Sequence, residues 1–159
     1  MLYVILVAVL VALDQAVKYL VRANIQPGQV VEFIPHLLGL TYVRNTGAAF
    51  SLFSQHTWLL TLVSALVSAA IAWVLVRNVV RHPFGKLTLS VILAGAVGNL
   101  IDRAMMGYVT DMFKTLFMDF AVFNVADICV VCGGIAFCVY LLFYYDKLEK
   151  PHGTDSADR

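Results

Sequence analysis

Charged side chains are scarce in this chain, and it contains no run of basic residues. Asp, Glu, Lys and Arg make up only 13 % of its 159 residues, whereas soluble proteins carry about 25 %. Apolar residues make up 61 %, and the formal net charge is +1. A soluble domain of this length has too little interior to bury so much apolar surface. The composition therefore excludes soluble and disordered classes, disfavours nucleic-acid binding and indicates a polytopic membrane protein.

Metal-binding patterns are also lacking. The C-x-x-C formed by Cys129 and Cys132 has no histidine or further cysteine to complete a metal site, so we interpret these cysteines and Cys138 as small residues of a membrane helix. The zinc-protease pattern H-E-x-x-H is absent. We therefore predict no metal and no cofactor. All histidines fall in predicted loops: His36, His56, His82 and His152.

Four segments are long and apolar enough to span a membrane, since a span needs about 20 mostly apolar residues. They cover residues 2–21, 57–76, 87–105 and 125–145. The first has Asp14 and Lys18 where a signal peptide would have small cleavage-site residues, so we expect it to be retained. We predict one integral-membrane domain over residues 1–150 and a disordered polar tail over 151–159.

The orientation of the spans follows from basic residues in the short connections. The loop between the second and third spans and the C-terminal tail contain most of them: Arg77, Arg81, Lys86, Lys147, Lys150 and Arg159. We therefore expect both termini on the cytoplasmic side and both long loops outside.

The two long outer loops carry structure of their own. Asn45-Thr46-Gly47 is a turn signal between two β-prone runs, and residues 109–123 are rich in aromatic side chains. These patterns predict a small extracytoplasmic β-sheet and an interfacial segment between the third and fourth spans. The predicted fold class is a membrane all-α bundle of four transmembrane helices with these two additions.

Polar residues from separate segments converge at the outer membrane level once the spans are oriented. A charge at the centre of a span costs about 2.5–3.5 kcal/mol, so such residues usually face a protein interior and mark function. The converging set comprises Asp14, Lys18, Asn45, Asn99, Asp102, Arg103, Asp111, Asn124 and Asp127.

Structural roles compete with functional ones for several of these residues. Asp14 and Lys18 are four residues apart and share a helix face, which suits an internal ion pair or a snorkelling head group. Pairing with neighbours is the favoured interpretation of Asp102. Asn124 and Asp127 have the spacing of an N-cap followed by an acid in the first turn.

Asp111 and Asp127 flank one short connection that begins and ends at the same membrane level. Two close carboxylates repel, so the pair holds a proton more tightly than either group alone. One ionised and one protonated carboxyl can activate water and polarise an amide carbonyl. The spacing therefore suggests a catalytic dyad, although spacing alone does not establish one.

Four motifs in one order give the chain a family resemblance. From about residue 13 to residue 145 it resembles the lipoprotein signal peptidases, the type II signal peptidases of bacteria. The matching pieces are Asp14-Gln15 with Lys18, Asn45-Thr46-Gly47-Ala48-Ala49-Phe50, Gly98-Asn99-Leu100-Ile101-Asp102-Arg103 followed by Gly107 and Asp111, and Phe123-Asn124-Val125-Ala126-Asp127.

The resemblance implies an aspartyl endopeptidase of the bacterial cytoplasmic (inner) membrane, with its active site near the outer face. It also implies that globomycin inhibits the enzyme. It implies prolipoprotein substrates, cut just before a lipobox cysteine that carries diacylglyceryl, with membrane lipid but no obligate protein partner. Asp111 and Asp127 match the catalytic pair. Positions that line or brace the site are matched by Asp14, Lys18, Asn45, Gly47, Asn99, Arg103 and Asn124, and Gly95 lies one turn before Asn99.

One departure and three alternatives accompany this interpretation. Ile128 stands where many family members have Ser, which puts a local hydrogen bond in doubt. A serine protease is disfavoured because Ser64, Ser68 and Ser90 lie in spans that carry no histidine. A small proton-coupled transporter would also use buried Asp and Lys, although no internal repeat is visible. A structural subunit that uses its charges for assembly is the third alternative.

Overall fold

The computed structural model describes residues 1–47 and 57–145. Within them, four helices are long and apolar enough to cross a membrane. A three-stranded antiparallel sheet accompanies the helices, so the predicted fold class is confirmed. Residues 48–53 of the predicted turn region and the tail from residue 151 lie outside the described residues. The helices are α1 (Leu2–Asn24), α2 (Thr57–Val76), α3 (Pro83–Met106) and α4 (Val125–Phe143).

Helix α3 is the centre of the bundle, because it packs against α1, α2 and α4. It begins at Pro83, four residues before the predicted start at residue 87. Proline suits the first turn of a helix, and the His82 side chain caps that turn by accepting a hydrogen bond from the Phe84 N–H at 3.2 Å. The helix ends at Met106 and is capped by Gly107, whose φ of 74° is the left-handed conformation that glycine adopts without strain.

The sheet consists of β1 (Val30–Ile34), β2 (Leu38–Asn45) and β3 (Val109–Thr115), in the order β1-β2-β3. The first part of the segment predicted to lie at the interface is thus the third strand. One face of the sheet packs on α1 through a buried cluster of Val21, Tyr42 and Met112. The sheet is therefore fixed to the end of the bundle where α1 and α3 end and α4 begins.

Strand pairing determines which residues meet at this end. Val43 of β2 lies opposite Asp111 of β3, and Asn45 lies opposite Val109. Residues two apart in a strand share a face, so Asn45 is on the same face as Val43 and Asp111. The chain then returns to β3, because Phe113 and Phe123 exchange backbone hydrogen bonds at 2.8 and 3.1 Å. This return starts α4 directly beside Asp111.

Candidate active site

Asp111 is a buried carboxylate held on both oxygens. Asn45 Nδ2 donates to its Oδ2 at 2.9 Å, and Asn124 Nδ2 donates to its Oδ1 at 2.6 Å. The side chain alternates with Met112, which points toward α1, so Asp111 faces the start of α4. The residue is only 2 % exposed.

Asp127 lies in the first turn of α4 and takes part in a capping box. Asn124 Oδ1 accepts from the Asp127 N–H at 2.9 Å, and Asp127 Oδ2 accepts from the Asn124 N–H at 3.0 Å. The capping interpretation of this pair is therefore correct. Capping leaves Oδ1 of Asp127 facing the bundle, where it accepts from Asn99 Nδ2 at 2.8 Å. Asp127 is half-buried and thus more accessible than Asp111.

Two asparagines link the two carboxylates. Asn124 Nδ2 contacts both Asp111 Oδ1 and, at 3.2 Å, Asn99 Oδ1. Asn99 in turn donates to Asp127. Hydrogen bonds therefore connect Asp111, Asn124, Asn99 and Asp127 without a break. They join residues from β3, α3 and the start of α4.

The electrostatic environment of Asp111 favours its protonated form. Burial raises the pKa of this carboxyl from 3.8 to about 6, against the hydrogen bond from Asn45. The nearby charge of Asp127 raises the pKa further, while the Asn124 amide and the Lys18 ammonium lower it. The site thus combines a carboxyl that keeps a proton into mildly acidic pH with a second, more accessible carboxylate.

Gly47 and Arg103 border the same site. Asn45 Oδ1 accepts from the Gly47 N–H at 2.9 Å, which orients the asparagine whose amide contacts Asp111. The Arg103 guanidinium approaches the Gly47 carbonyl and the Ser64 hydroxyl, each at 3.4 Å. Its positive charge also interacts with the carboxylates of Asp127 and Asp111. Both predicted residues therefore lie at the site.

Gly95 allows α3 and α4 to approach closely. A Cβ at this position would collide with the carbonyl of Ala126 and would lie 2.8 Å from Val130 Cγ2. Ala126 directly precedes Asp127. Gly95 therefore acts on the site through the placement of α4.

Asp14 and Lys18 form a buried pair, with Lys18 Nζ 2.9 Å from Asp14 Oδ2. Lys18 Nζ also lies 3.3 Å from Asp102 Oδ2 and donates to Asn99 Oδ1 at 2.9 Å. Through Asn99 this lysine is one residue from the Asp127 carboxylate. Lys18 therefore lies beside the site, as predicted, and contacts it through Asn99, whose amide binds Asp127.

Sequence reasoning gave too little weight to three residues around Lys18. Gln15 Nε2 donates to Asp14, to the Gly98 carbonyl and to Asp102, at 3.1, 3.0 and 3.2 Å. A Cβ on Gly98 would lie 2.6 Å from Asp14 Oδ2. The family motifs contain all three residues: Gln15, Gly98 and Asp102. Their place in these motifs was the sequence feature that could have indicated a role at the site.

A serine nucleophile has no support in the described parts of α2 and α3. Ser90 Oγ donates to the Lys86 carbonyl at 2.7 Å, one turn back in its own helix. Ser64 accepts from Arg103, a cation and not a general base. No group of three His, Cys, Asp or Glu residues able to hold a metal occurs within residues 1–47 and 57–145.

The fold and the site define a class: a multi-pass membrane protein whose paired, hydrogen-bonded carboxylates lie where the helix bundle meets a small sheet. Comparison with known families gives the particular family. Residues 6–143 match the family model described as Signal peptidase (SPase) II, and the chain belongs to this peptidase family.

Individual relatives agree with this assignment. The chain is 44 % identical to the lipoprotein signal peptidase of Enterococcus faecalis, over 98 % of this chain and 96 % of that protein. It is 38 % identical to the lipoprotein signal peptidase of Clostridioides difficile, over 92 % and 99 % of the two chains. A solved bacterial membrane enzyme superposes with a TM-score of 0.84 at 28 % identity, covering 96 % of this chain and 93 % of that one. This chain is therefore a multi-pass bacterial membrane protein and a protease.

Proposed function

We propose that this protease is an aspartyl endopeptidase that removes the signal peptide from prolipoproteins. The cut falls just before a lipobox cysteine that already carries diacylglyceryl. The names of the relatives support the class of substrate. The observation that carries the proposal is the continuous hydrogen-bonded chain from Asp111 through Asn124 and Asn99 to Asp127.

The dyad supplies general acid and general base in one step. The ionised carboxylate removes a proton from a water molecule, whose oxygen attacks the scissile carbonyl carbon. The protonated carboxyl donates its proton to the carbonyl oxygen, so a neutral tetrahedral diol forms. When the diol collapses, the C–N bond breaks as the protonated carboxyl gives its proton to the leaving amine and the ionised carboxylate takes a proton from one diol hydroxyl. Both products are then released with the dyad restored.

The asparagines orient the dyad without adding charge. Amide donors on all four carboxylate oxygens fix the rotamers of Asp111 and Asp127, so substrate meets a prearranged site. Because the two groups titrate as a coupled pair, the acid and base roles belong to the pair. Asp111 is buried whereas Asp127 is half-buried, and this difference favours Asp111 as the group that holds the proton before substrate binds.

The depth of the site suits this substrate. The dyad lies at the end of the bundle that carries the sheet, opposite the basic connection between α2 and α3. Basic connections stay in the cytoplasm, so the site faces outward at the membrane surface. A peptide bond next to a lipid-modified cysteine at that level is reached while the lipid remains in the bilayer. Asp14 and Lys18 brace this region, and Gly95 sets how closely α4 approaches it.

The test is cleavage of a purified diacylglyceryl-modified prolipoprotein by the purified chain in detergent. Mass spectrometry is expected to show a product that begins at the lipid-modified cysteine. A matched prolipoprotein with serine in place of that cysteine carries no lipid and is expected to remain uncut. Cleavage is expected to continue in a metal chelator and to stop with globomycin.

Two results would contradict the proposal. Cleavage at another bond, or equal cleavage of the unlipidated control, would reject the stated specificity. Proton-coupled transport into vesicles with no cleavage of either prolipoprotein would favour a transporter instead.

A further inference from the structure

The side-chain ammonium of Lys18 is the centre of a buried polar cluster that contains no proposed catalytic group. Its partners are Asp14 Oδ2 at 2.9 Å, Asp102 Oδ2 at 3.3 Å and Asn99 Oδ1 at 2.9 Å. Lys18 and Asp102 are fully buried, and Asp14 is 1 % exposed. One cation thus holds two carboxylates from two helices.

Each of these carboxylates also accepts a hydrogen bond from a backbone N–H, and the two N–H groups occupy equivalent positions relative to Asp127 and Asp111. Asp14 Oδ1 accepts from the Ala126 N–H at 2.9 Å. Asp102 Oδ2 accepts from the Thr110 N–H at 2.9 Å. Ala126 directly precedes Asp127, and Thr110 directly precedes Asp111. Two buried carboxylates therefore hold the backbone one residue before each member of the dyad.

Both N–H groups need a partner from outside their own element. Ala126 lies in the first turn of α4, where N–H groups have no acceptor within the helix. Thr110 lies in β3, an edge strand of the sheet, and its N–H is directed to Asp102 of α3. Without these two acceptors, each element would lose a hydrogen bond that holds its start against α1 or α3.

Building on the proposed catalytic pair, we propose that Asp14 and Asp102 are positioning residues, joined by Lys18, that set the relative placement of Asp127 and Asp111. Asp14 acts through the start of α4 and Asp102 through the start of β3. Lys18 ties the two arms together, so a shift in one arm changes the spacing between the carboxyls. Gln15 contributes a donor to each arm.

The neighbouring glycine supports the importance of this geometry. A side chain at Gly98 would displace Asp14, since its Cβ would lie 2.6 Å from Asp14 Oδ2. The carbonyl of Gly98 also accepts from Gln15 at 3.0 Å. Gly98 thus leaves room for the Asp14 carboxylate, and its carbonyl binds the Gln15 amide that also contacts this carboxylate.

The test compares Asp102→Ala with Asp102→Asn, and Asp14→Ala with Asp14→Asn, in the prolipoprotein cleavage assay. The asparagine variants keep an oxygen that can accept the backbone N–H, and the alanine variants do not. An error of about 1 Å in placing a catalytic group lowers the rate by about 100-fold. We therefore expect each alanine variant to lose about 100-fold in kcat with little change in KM. Each asparagine variant is expected to regain most of that loss.

Glu32→Ala is the matched control, because Glu32 Oε1 also accepts a backbone N–H, that of His36 at 3.0 Å, on the exposed strand β1. Its kcat is expected to equal that of the unmodified chain. Thermal unfolding of every variant is measured in parallel, so that loss of fold is separated from loss of rate.

The positioning role is overturned if folded Asp102→Ala keeps full kcat, or if only KM changes. It is also overturned if folded Asp102→Asn loses as much kcat as the alanine variant. If the alanine variants do not fold, the asparagine variants decide alone, since a 100-fold loss in folded Asp102→Asn contradicts the proposal. Activity retained in Asp111→Asn would instead overturn the proposed function itself.

Discussion

At the scale of single residues, Asp111 and Asp127 have the same side chain but lie in different surroundings. Asp111 is buried in the sheet and receives two side-chain amides. Asp127 is half-buried and receives one side-chain amide and one backbone N–H. The different surroundings of the two carboxyls suit the acid and base roles that we propose for the pair.

The raised pKa of Asp111 predicts the pH dependence of cleavage. In the proposed mechanism the pair holds one proton, and Asp111 loses its proton as the pH rises through about 6. We therefore expect kcat/KM, which reports ionisations of the free enzyme, to fall as the pH rises through this value, measured with the lipid-modified prolipoprotein. A kcat/KM that does not change over this range would contradict the assignment of the proton to the pair.

The same pKa predicts a change in stability with a definite sign. The folded state holds the proton more tightly than the unfolded chain, so the stabilisation from Asp111 is full below its ordinary pKa of 3.8 and is lost as the pH rises through about 6. The melting temperature of the unmodified chain minus that of Asp111→Asn is thus expected to decrease over this window. A constant difference would contradict a raised pKa.

At the scale of structural elements, much of the architecture could be predicted from local sequence. The apolar runs gave the four helices, and the spacing of Asn124 and Asp127 gave the start of α4. The strand β3 was not predicted, because its partner β2 lies more than sixty residues earlier in the chain and pairing is a tertiary event. For the same reason Asp102 appeared to be only a pairing charge, since its bond to Thr110 exists only after β3 docks.

Asn124 has a capping role and a site role, and two variants separate them. Serine is a good N-cap but has no amide to donate to Asp111 and Asn99. Asn124→Ser is expected to keep the stabilisation from the cap while losing most of kcat. Asn124→Ala is expected to lose both, with about 1 kcal/mol from the cap. Equal kcat in Asn124→Ser and the unmodified chain would show that the amide bridge has no part in cleavage.

The contact between α3 and α4 depends on Gly95. Gly95→Ala forces the helices apart beside Ala126, and such overpacking costs about 1–3 kcal/mol. We expect a lower melting temperature and a lower kcat. Gly134→Ala is the matched control in α4, because a Cβ there meets no atom within 4 Å. Equal effects of the two substitutions would contradict the close-packing account.

At the scale of the whole molecule, orientation in the membrane decides which side holds the dyad. In a variant without native cysteines, we expect Lys114→Cys in β3 to react with a membrane-impermeant thiol reagent on intact cells. Val79→Cys, in the connection between α2 and α3, is expected to react only after the cells are opened. Both native side chains are exposed, so access reports the side of the membrane. The reverse pattern would place the site in the cytoplasm.

The whole account depends on Asp111 and Asp127 acting together on a peptide bond. The most direct measurement is kcat for the lipid-modified prolipoprotein in Asp111→Asn and Asp127→Asn, with Asp119→Asn, an exposed aspartate between β3 and α4, as the control. Loss of general acid–base catalysis is expected to lower kcat by about 10²–10⁴-fold in each of the first two variants and to leave the control unchanged. Full kcat in either folded dyad variant would contradict the account.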